Sequence, residues 1–189
     1  MEKLAGSSGN ELIRVTGTIA NRQNQLKQYA AAEASYQNIL KLVDQLEQIE
    51  EKERNGLKGG AFHQLGMVAE EQRQWAQAEQ YYQQALQIFI EYNDRYNQAG
   101  TYHQLGRVAQ EQRQWAQARN YFLHALQTFV DYEDTYSGNV VLFSLARLWQ
   151  ASADAGLLAA IASIMDTSQA EVETRLRGML EDASDEPEG

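Results

Sequence analysis

Apolar side chains return along this chain at alternating three- and four-residue steps. Tyr102, Leu105, Val108 and Ala109 mark one face of a helix. After Gln112-Arg113-Gln114 the phase changes, and Ala118, Phe122, Ala125, Leu126 and Phe129 mark the face of a second helix. Polar pairs, Asn93-Asp94 and Glu133-Asp134, precede each new first helix, where a side-chain oxygen can cap exposed amides. The pattern predicts a helical hairpin as the building unit.

The hairpin repeats. Aligning the segment Gly60–Ala99 with Gly100–Asn139 gives roughly 23 identities over about 40 positions, well beyond chance likeness between two helices. Gly66 and Gly106 fall in mid-helix, where glycine costs about 1 kcal/mol relative to alanine. Such a cost points to a close neighbour. Ala78 and Ala118 are suited to the opposing contact on the second helix, Ala85 and Ala125 would admit the first helix of the next unit, and Tyr82 and Phe122 fill the spaces between. A single hairpin cannot bury both its faces, so stacked copies make the core.

The spacing Tyr102-x-x-Leu105-Gly106-x-x-Ala109, then Ala118-x-x-x-Phe122-x-x-Ala125, resembles the tetratricopeptide repeat (TPR). Phe62, Leu65, Gly66, Ala69, Ala78, Tyr82 and Ala85 repeat it in the preceding copy. Looser copies flank the two, with Thr16, Ile19, Ala20, Gln23, Ala32, Tyr36 and Ile39 before them and Leu142, Leu145, Ala146, Trp149, Leu158, Ala162 and Met165 after. The resemblance implies an all-α fold, a right-handed superhelical solenoid of stacked antiparallel hairpins with a C-terminal capping helix. The period is about 40 rather than the family's usual 34 residues, and Ile90 and Val130 stand where proline often ends the second helix. The step from the first copy to the second is longer, about 46 residues, with Glu47 to Arg54 read as a charged helix extension ended by Asn55-Gly56. More loosely, the long period and Leu145-Ala146-Arg147-Leu148-Trp149-Gln150 look similar to C-terminal arrays of bacterial STAND-type signalling NTPases.

The expected organisation is a flexible segment or linker at 1–10, including Gly6-Ser7-Ser8-Gly9, then an array of four hairpins at 11–166. A capping helix follows at 167–181, opened by the capping box Ser168-x-x-Glu171, and a disordered acidic tail at 182–189.

Composition narrows the function classes. The single proline, Pro187, lies in the tail, as befits a long helical body. The chain has no cysteine, which removes thiol catalysis and zinc–thiolate sites. The N-terminus shows no signal peptide, and the longest apolar run, near Gly156 to Met165, is about half of a membrane span. A soluble, cytoplasmic protein is expected. Net charge is −10, with Glu181, Asp182, Asp185, Glu186 and Glu188 crowding the end, so neither nucleic acid nor a membrane surface is an expected partner.

No catalytic, metal or cofactor site is read. His63 and His103 occupy equivalent positions in successive hairpins, too far apart for one zinc ion at ordinary helix spacing, and His124 stands where the other copy has Gln84. No phosphate loop and no nucleophile elbow is present. Trp75 and Trp115 are read as hairpin anchors, while the pairs Tyr92/Tyr96 and Tyr132/Tyr136 fit either inter-repeat packing or an exposed aromatic rim.

The family resemblance places binding on the concave face formed by first helices. Its candidates here are Asn21, His63, Gln64, Met67, His103, Gln104, Arg107, Gln110 and Arg147, with Gly60 and Gly100 leaving open floor. Met67 becomes Arg107 and Glu70 becomes Gln110 between copies, so the groove turns more positive, and Arg107 with Arg147 could form a ladder for carboxylates or a phosphate. Some family members hold a peptide's terminal carboxylate with a Lys and Asn pair. His63/Met67 and His103/Arg107 occupy those places, so that clamp does not carry over. The expected function is a protein–protein interaction module, a monomer or weakly self-associating, that binds a peptide or partner protein. Alternatives are a sensor segment of a larger signalling NTPase and a structural self-assembling repeat.

Overall fold

The computed structural model describes residues 6–47 and 49–185. Within them the elements are α1 (Gly6–Gln25), α2 (Tyr29–Gln45), α3 (Glu51–Glu71), α4 (Trp75–Glu91), α5 (Arg95–Glu111), α6 (Trp115–Asp131), α7 (Thr135–Ser152), α8 (Leu157–Met165) and α9 (Gln169–Asp185). The all-α expectation holds among the described residues. They form two compact units, the first ending at Asp94 and the second starting at Arg95.

In the first unit α1 pairs with α2 and α3 with α4, and α2 packs on α3 to join the two hairpins. Its core gathers Ile13, Ala20, Ala32, Tyr36, Ile39, Leu42, Val43, Leu65 and Val68. In the second unit α5 pairs with α6, and α7 packs on α6. Phe122, Leu126, Leu145, Leu148, Leu157, Ile161 and Leu176 are each at most 1% exposed and form that unit's centre.

Steric fit explains the mid-helix glycines. A Cβ on Gly66 would lie 2.5 Å from the Tyr82 ring, and one on Gly106 would lie 2.5 Å from Phe122. The first and second helices of each hairpin therefore touch backbone to ring. The turns that reverse the chain need a left-handed residue, supplied without glycine by Lys27, Arg73, Asn93, Arg113 and Glu133, with φ between 54° and 58°.

Three boundaries differ from the sequence reading. α1 begins at Gly6, inside the expected linker, and α9 runs to Asp185, past the expected end of the cap, while residues 1–5 and 186–189 lie outside the described residues. The charged stretch after α2 does not extend that helix. α2 stops at Gln45, Leu46 and Glu50 are extended, and α3 starts at Glu51 and runs straight through Asn55-Gly56. The Arg54 guanidinium donates to the carbonyls of Val43 at 2.5 Å and Leu46 at 2.8 Å, satisfying the end of α2 from the first turns of α3. Asn55 donates to the Tyr92 hydroxyl at 2.6 Å, which makes it a side-chain anchor inside a helix rather than a helix stop.

The last hairpin differs as well. α9, not α8, packs beside α7, and α8 lies against α6 and α9. Asp154 fixes this departure: one oxygen accepts from the Gly156 amide at 2.8 Å and the other pairs with Arg119 on α6 at 3.0 Å. The capping box then opens α9. The Ser168 amide donates to Glu171 at 3.0 Å, and the Glu171 amide donates to Ser168 Oγ at 3.2 Å.

Candidate functional site: a cationic groove on α5 and α7

The second unit carries a groove of 470 Å³ lined by His103 and Arg107 from α5 and by Tyr136, Asn139, Val140, Phe143, Ser144 and Arg147 from α7. Sequence spacing explains the lining. On α7 the residues Val141, Leu142, Leu145, Ala146 and Leu148 are buried, and the helix turns the opposite stripe, Tyr136, Val140, Phe143 and Arg147, outward.

His103 is wedged at the junction of the two helices. Its Nε2 lies 2.9 Å from Ser144 Oγ, and its ring centroid is 5.7 Å from that of Phe122. Ser144 Oγ also lies 3.3 Å from the Val140 carbonyl. The serine's one proton goes either to that carbonyl or to the imidazole, which fixes which of the two ring nitrogens is protonated. Burial, reinforced by the nearby Arg107 charge, holds the imidazole down at about 4, so it is a neutral polar group at pH 7.

The two arginines supply the charge. Arg107 and Arg147 are exposed, and Arg107 Nη1 donates to Gln104 at 3.2 Å. Arg147 has no hydrogen bond or ion pair among the described residues. No carboxylate lines the groove. Apolar and aromatic side chains share the lining: Val140 is 41% exposed and Tyr136 80% exposed.

Of the residues read from sequence, the structure brings His103, Arg107 and Arg147 together on this surface, while Gln104 and Gln110 are half-buried and do not line it. In the first unit His63 is half-buried beside Tyr82, with ring centroids 5.4 Å apart, and burial lowers it to about 4. Gln64 and Met67 are likewise half-buried, and Asn21 accepts a hydrogen bond from the Tyr36 hydroxyl at 2.5 Å. Glu70, read as a groove charge, is a correction: it is only 8% exposed and accepts from the Tyr82 hydroxyl at 2.8 Å.

Sequence reasoning missed Asn139, Val140, Phe143 and Ser144. The signal was available, since they share the outward stripe of α7, but that helix carries the weakest repeat pattern. The open question about the tyrosines resolves residue by residue. Tyr92 donates to Glu51 and accepts from Asn55; Tyr96 donates to Asp134 and packs edge-on against Phe129 and Tyr132; Tyr136 is left to the groove. Trp75 and Trp115 open α4 and α6 half-buried, and Trp115 packs on the second core.

Among the described residues no cluster of three or more His, Asp or Glu could hold a metal ion, and no helix is long and apolar enough to cross a membrane.

The tetratricopeptide-repeat family model matches residues 59–129. No curated protein matches the chain in sequence. Among solved structures, BtubC (BKLC) from P. vanneervenii aligns with a TM-score of 0.67 at 16% identity, covering 96% of this chain and 84% of that one. A putative kinesin light chain of nearly identical TPR-like repeats from P. anserina aligns with a TM-score of 0.62 at 14% identity, covering 92% of this chain and 97% of that one. The chain thus matches the tetratricopeptide-repeat model over residues 59–129, and its all-helical fold is similar to those of the two solved structures over nearly its whole length.

Proposed function

We propose that this protein is a non-catalytic interaction module whose α5–α7 groove binds an extended peptide segment bearing carboxylates and an apolar side chain. TPR repeats are in general protein-interaction modules. The observation that carries the reading is the joint placement of Arg107 and Arg147 on one groove without a lining carboxylate, over the apolar surface of Val140, Phe143 and Tyr136. Guanidinium groups suit carboxylates because each offers paired N–H donors in a plane. Neutral His103, Ser144 and Asn139 add polar contacts that need no further charge. A cytoplasmic setting belongs to this reading, supported by the absence of cysteine. If the chain is the sensor segment of a larger signalling NTPase, as the stretch Leu145 to Gln150 suggests, the same groove would receive its trigger.

The test is selection of a random peptide library on the wild-type protein, followed by titration of the enriched peptides against Arg107→Glu/Arg147→Glu. Enrichment of acidic residues spaced around an aromatic or aliphatic one, with affinity falling about tenfold or more in the double variant, is the expected result. Enriched peptides that bind both proteins equally would remove the groove from the function.

A further inference from the structure

Twice in this chain the end of a second helix folds over the beginning of its first. Phe89-Ile90-Glu91-Tyr92 closes α4, and Phe129-Val130-Asp131-Tyr132 closes α6. Phe89 lies so near α3 that a Cβ on Gly59 would stand 2.6 Å from its ring, and the Tyr92 hydroxyl donates to Glu51 at 3.0 Å. In the next hairpin Phe129 and Tyr132 pack edge-on against Tyr96, with ring centroids 5.6 and 5.8 Å away, and Asp131 pairs with Arg95 at 2.7 Å. The beginning of α7 has no such cover. α8 has 9 residues where α4 and α6 have 17, so it stops about 12 Å of helix short. Tyr136, the repeat equivalent of Tyr96, is 80% exposed against 44% for Tyr96.

A pocket of 320 Å³ opens where α8 stops. Met165, the last residue of that helix, lines it with Leu126 and Phe129 of α6 and Leu142 of α7. Gly138 keeps it open, since a Cβ there would meet nothing within 4 Å. Arg175 is the cation of the lining and donates to Asn139 at 2.6 Å. Glu133 and Asp134 are its carboxylates, and Asp134 already accepts from the Tyr96 hydroxyl at 2.7 Å. We propose that this pocket docks the end of a partner's helix bearing the sequence Phe-aliphatic-acid-Tyr, which takes the place of the turns α8 lacks. The chain's own hairpins specify that occupant. Its phenylalanine enters among Leu126, Leu142 and Met165; its acid meets Arg175 as Asp131 meets Arg95; its tyrosine hydroxyl donates to Glu133 as Tyr92 does to Glu51. The pocket shares Asn139 with the α5–α7 groove but neither of the groove's arginines.

The probe is a labelled synthetic peptide of residues 120–132, which ends in Phe129-Val130-Asp131-Tyr132, titrated into the full chain by fluorescence anisotropy. The wild-type protein should bind it weakly, with a dissociation constant on the order of 100 µM, as a small contact predicts. Gly138→Leu fills the pocket from a position with room for a side chain and should weaken binding about tenfold or more while the protein stays folded by circular dichroism. Arg175→Glu sets a carboxylate against the peptide's acid and serves as the second variant should Gly138→Leu misfold. A peptide carrying Phe129→Ala and Tyr132→Ala should lose binding to a similar degree, whereas Arg107→Glu/Arg147→Glu in the protein should leave it unchanged. No binding up to about 1 mM peptide, binding indifferent to both pocket variants or to loss of both rings, or binding lost in the groove variant would each overturn the proposal. A dimer of the protein alone that Gly138→Leu abolishes would give the pocket to a second copy and overturn it too.

Discussion

The Tyr82 hydroxyl donates to a Glu70 carboxylate oxygen at 2.8 Å, with both side chains buried between α3 and α4. In the next hairpin the same two places hold Phe122 and Gln110. Hydroxyl and carboxylate are thus lost together, as expected if each is tolerated in the interior because of the other.

This pairing predicts a double-mutant cycle. Tyr82→Phe removes one donor from a buried carboxylate and should destabilise the protein by about 1–3 kcal/mol in urea or thermal unfolding. Glu70→Gln/Tyr82→Phe reproduces the second hairpin's pair and should recover a large part of that loss, giving a coupling of about 1 kcal/mol or more. Additive losses would show that the two residues do not act as a pair.

The glycines separate packing from helix propensity. Gly66→Ala and Gly106→Ala would drive a Cβ to 2.5 Å from the Tyr82 and Phe122 rings, so each should destabilise by about 1–3 kcal/mol through overpacking. Gly60 and Gly100 have nothing within 4 Å of such a Cβ. There the ordinary helix preference rules, and Gly60→Ala and Gly100→Ala should stabilise by about 1 kcal/mol. Thermal unfolding of the four variants checks both directions at once.

These two cases show what was legible in the sequence. The hairpins of α3–α4 and α5–α6 could be read because their face residues recur in register, and the close glycine–ring contacts followed from an otherwise costly residue in mid-helix. Helix ends were less legible where a distant side chain decides them. Arg54 ends α2 by reaching back to carbonyls from the following helix, and Asp154 diverts α8 by tying a turn to Arg119. Neither interaction leaves a periodic trace. The groove was half legible for the same reason: His103, Arg107 and Arg147 sit at repeat-equivalent positions, whereas Asn139, Val140, Phe143 and Ser144 have unlike residues in the preceding copies.

Arg54 gives a prediction of its own. Arg54→Ala removes two charge-assisted hydrogen bonds to the end of α2 and should destabilise by about 1–3 kcal/mol. Arg54→Lys should recover little, because a lysine ammonium lacks the planar fork that spans the Val43 and Leu46 carbonyls. Hydrogen exchange localises the effect: amides in the last turn of α2 should lose protection well before those of α4.

The two half-buried imidazoles set a pH dependence whose direction can be worked out. His63 and His103 are each lowered to about 4 from an ordinary 6.5, chiefly by burial and, for His103, secondarily by Arg107. Below 6.5 the unfolded chain binds these protons and the folded protein does not, so acid favours unfolding. The stabilisation is fully present above pH 6.5 and is lost as pH falls towards 4, on the order of 3 kcal/mol for each ring before any discount for its partial exposure. Denaturant midpoints should therefore be flat from pH 8 to about 6.5 and fall steadily below it, a window above that of ordinary carboxylates. His63→Gln/His103→Gln should flatten the fall between pH 6.5 and 4.5 even if it lowers stability at pH 7. A wild-type midpoint that stays level down to pH 4.5 would mean that both rings accept protons in the folded state, and His103 would then be a third cation beside Arg107 and Arg147.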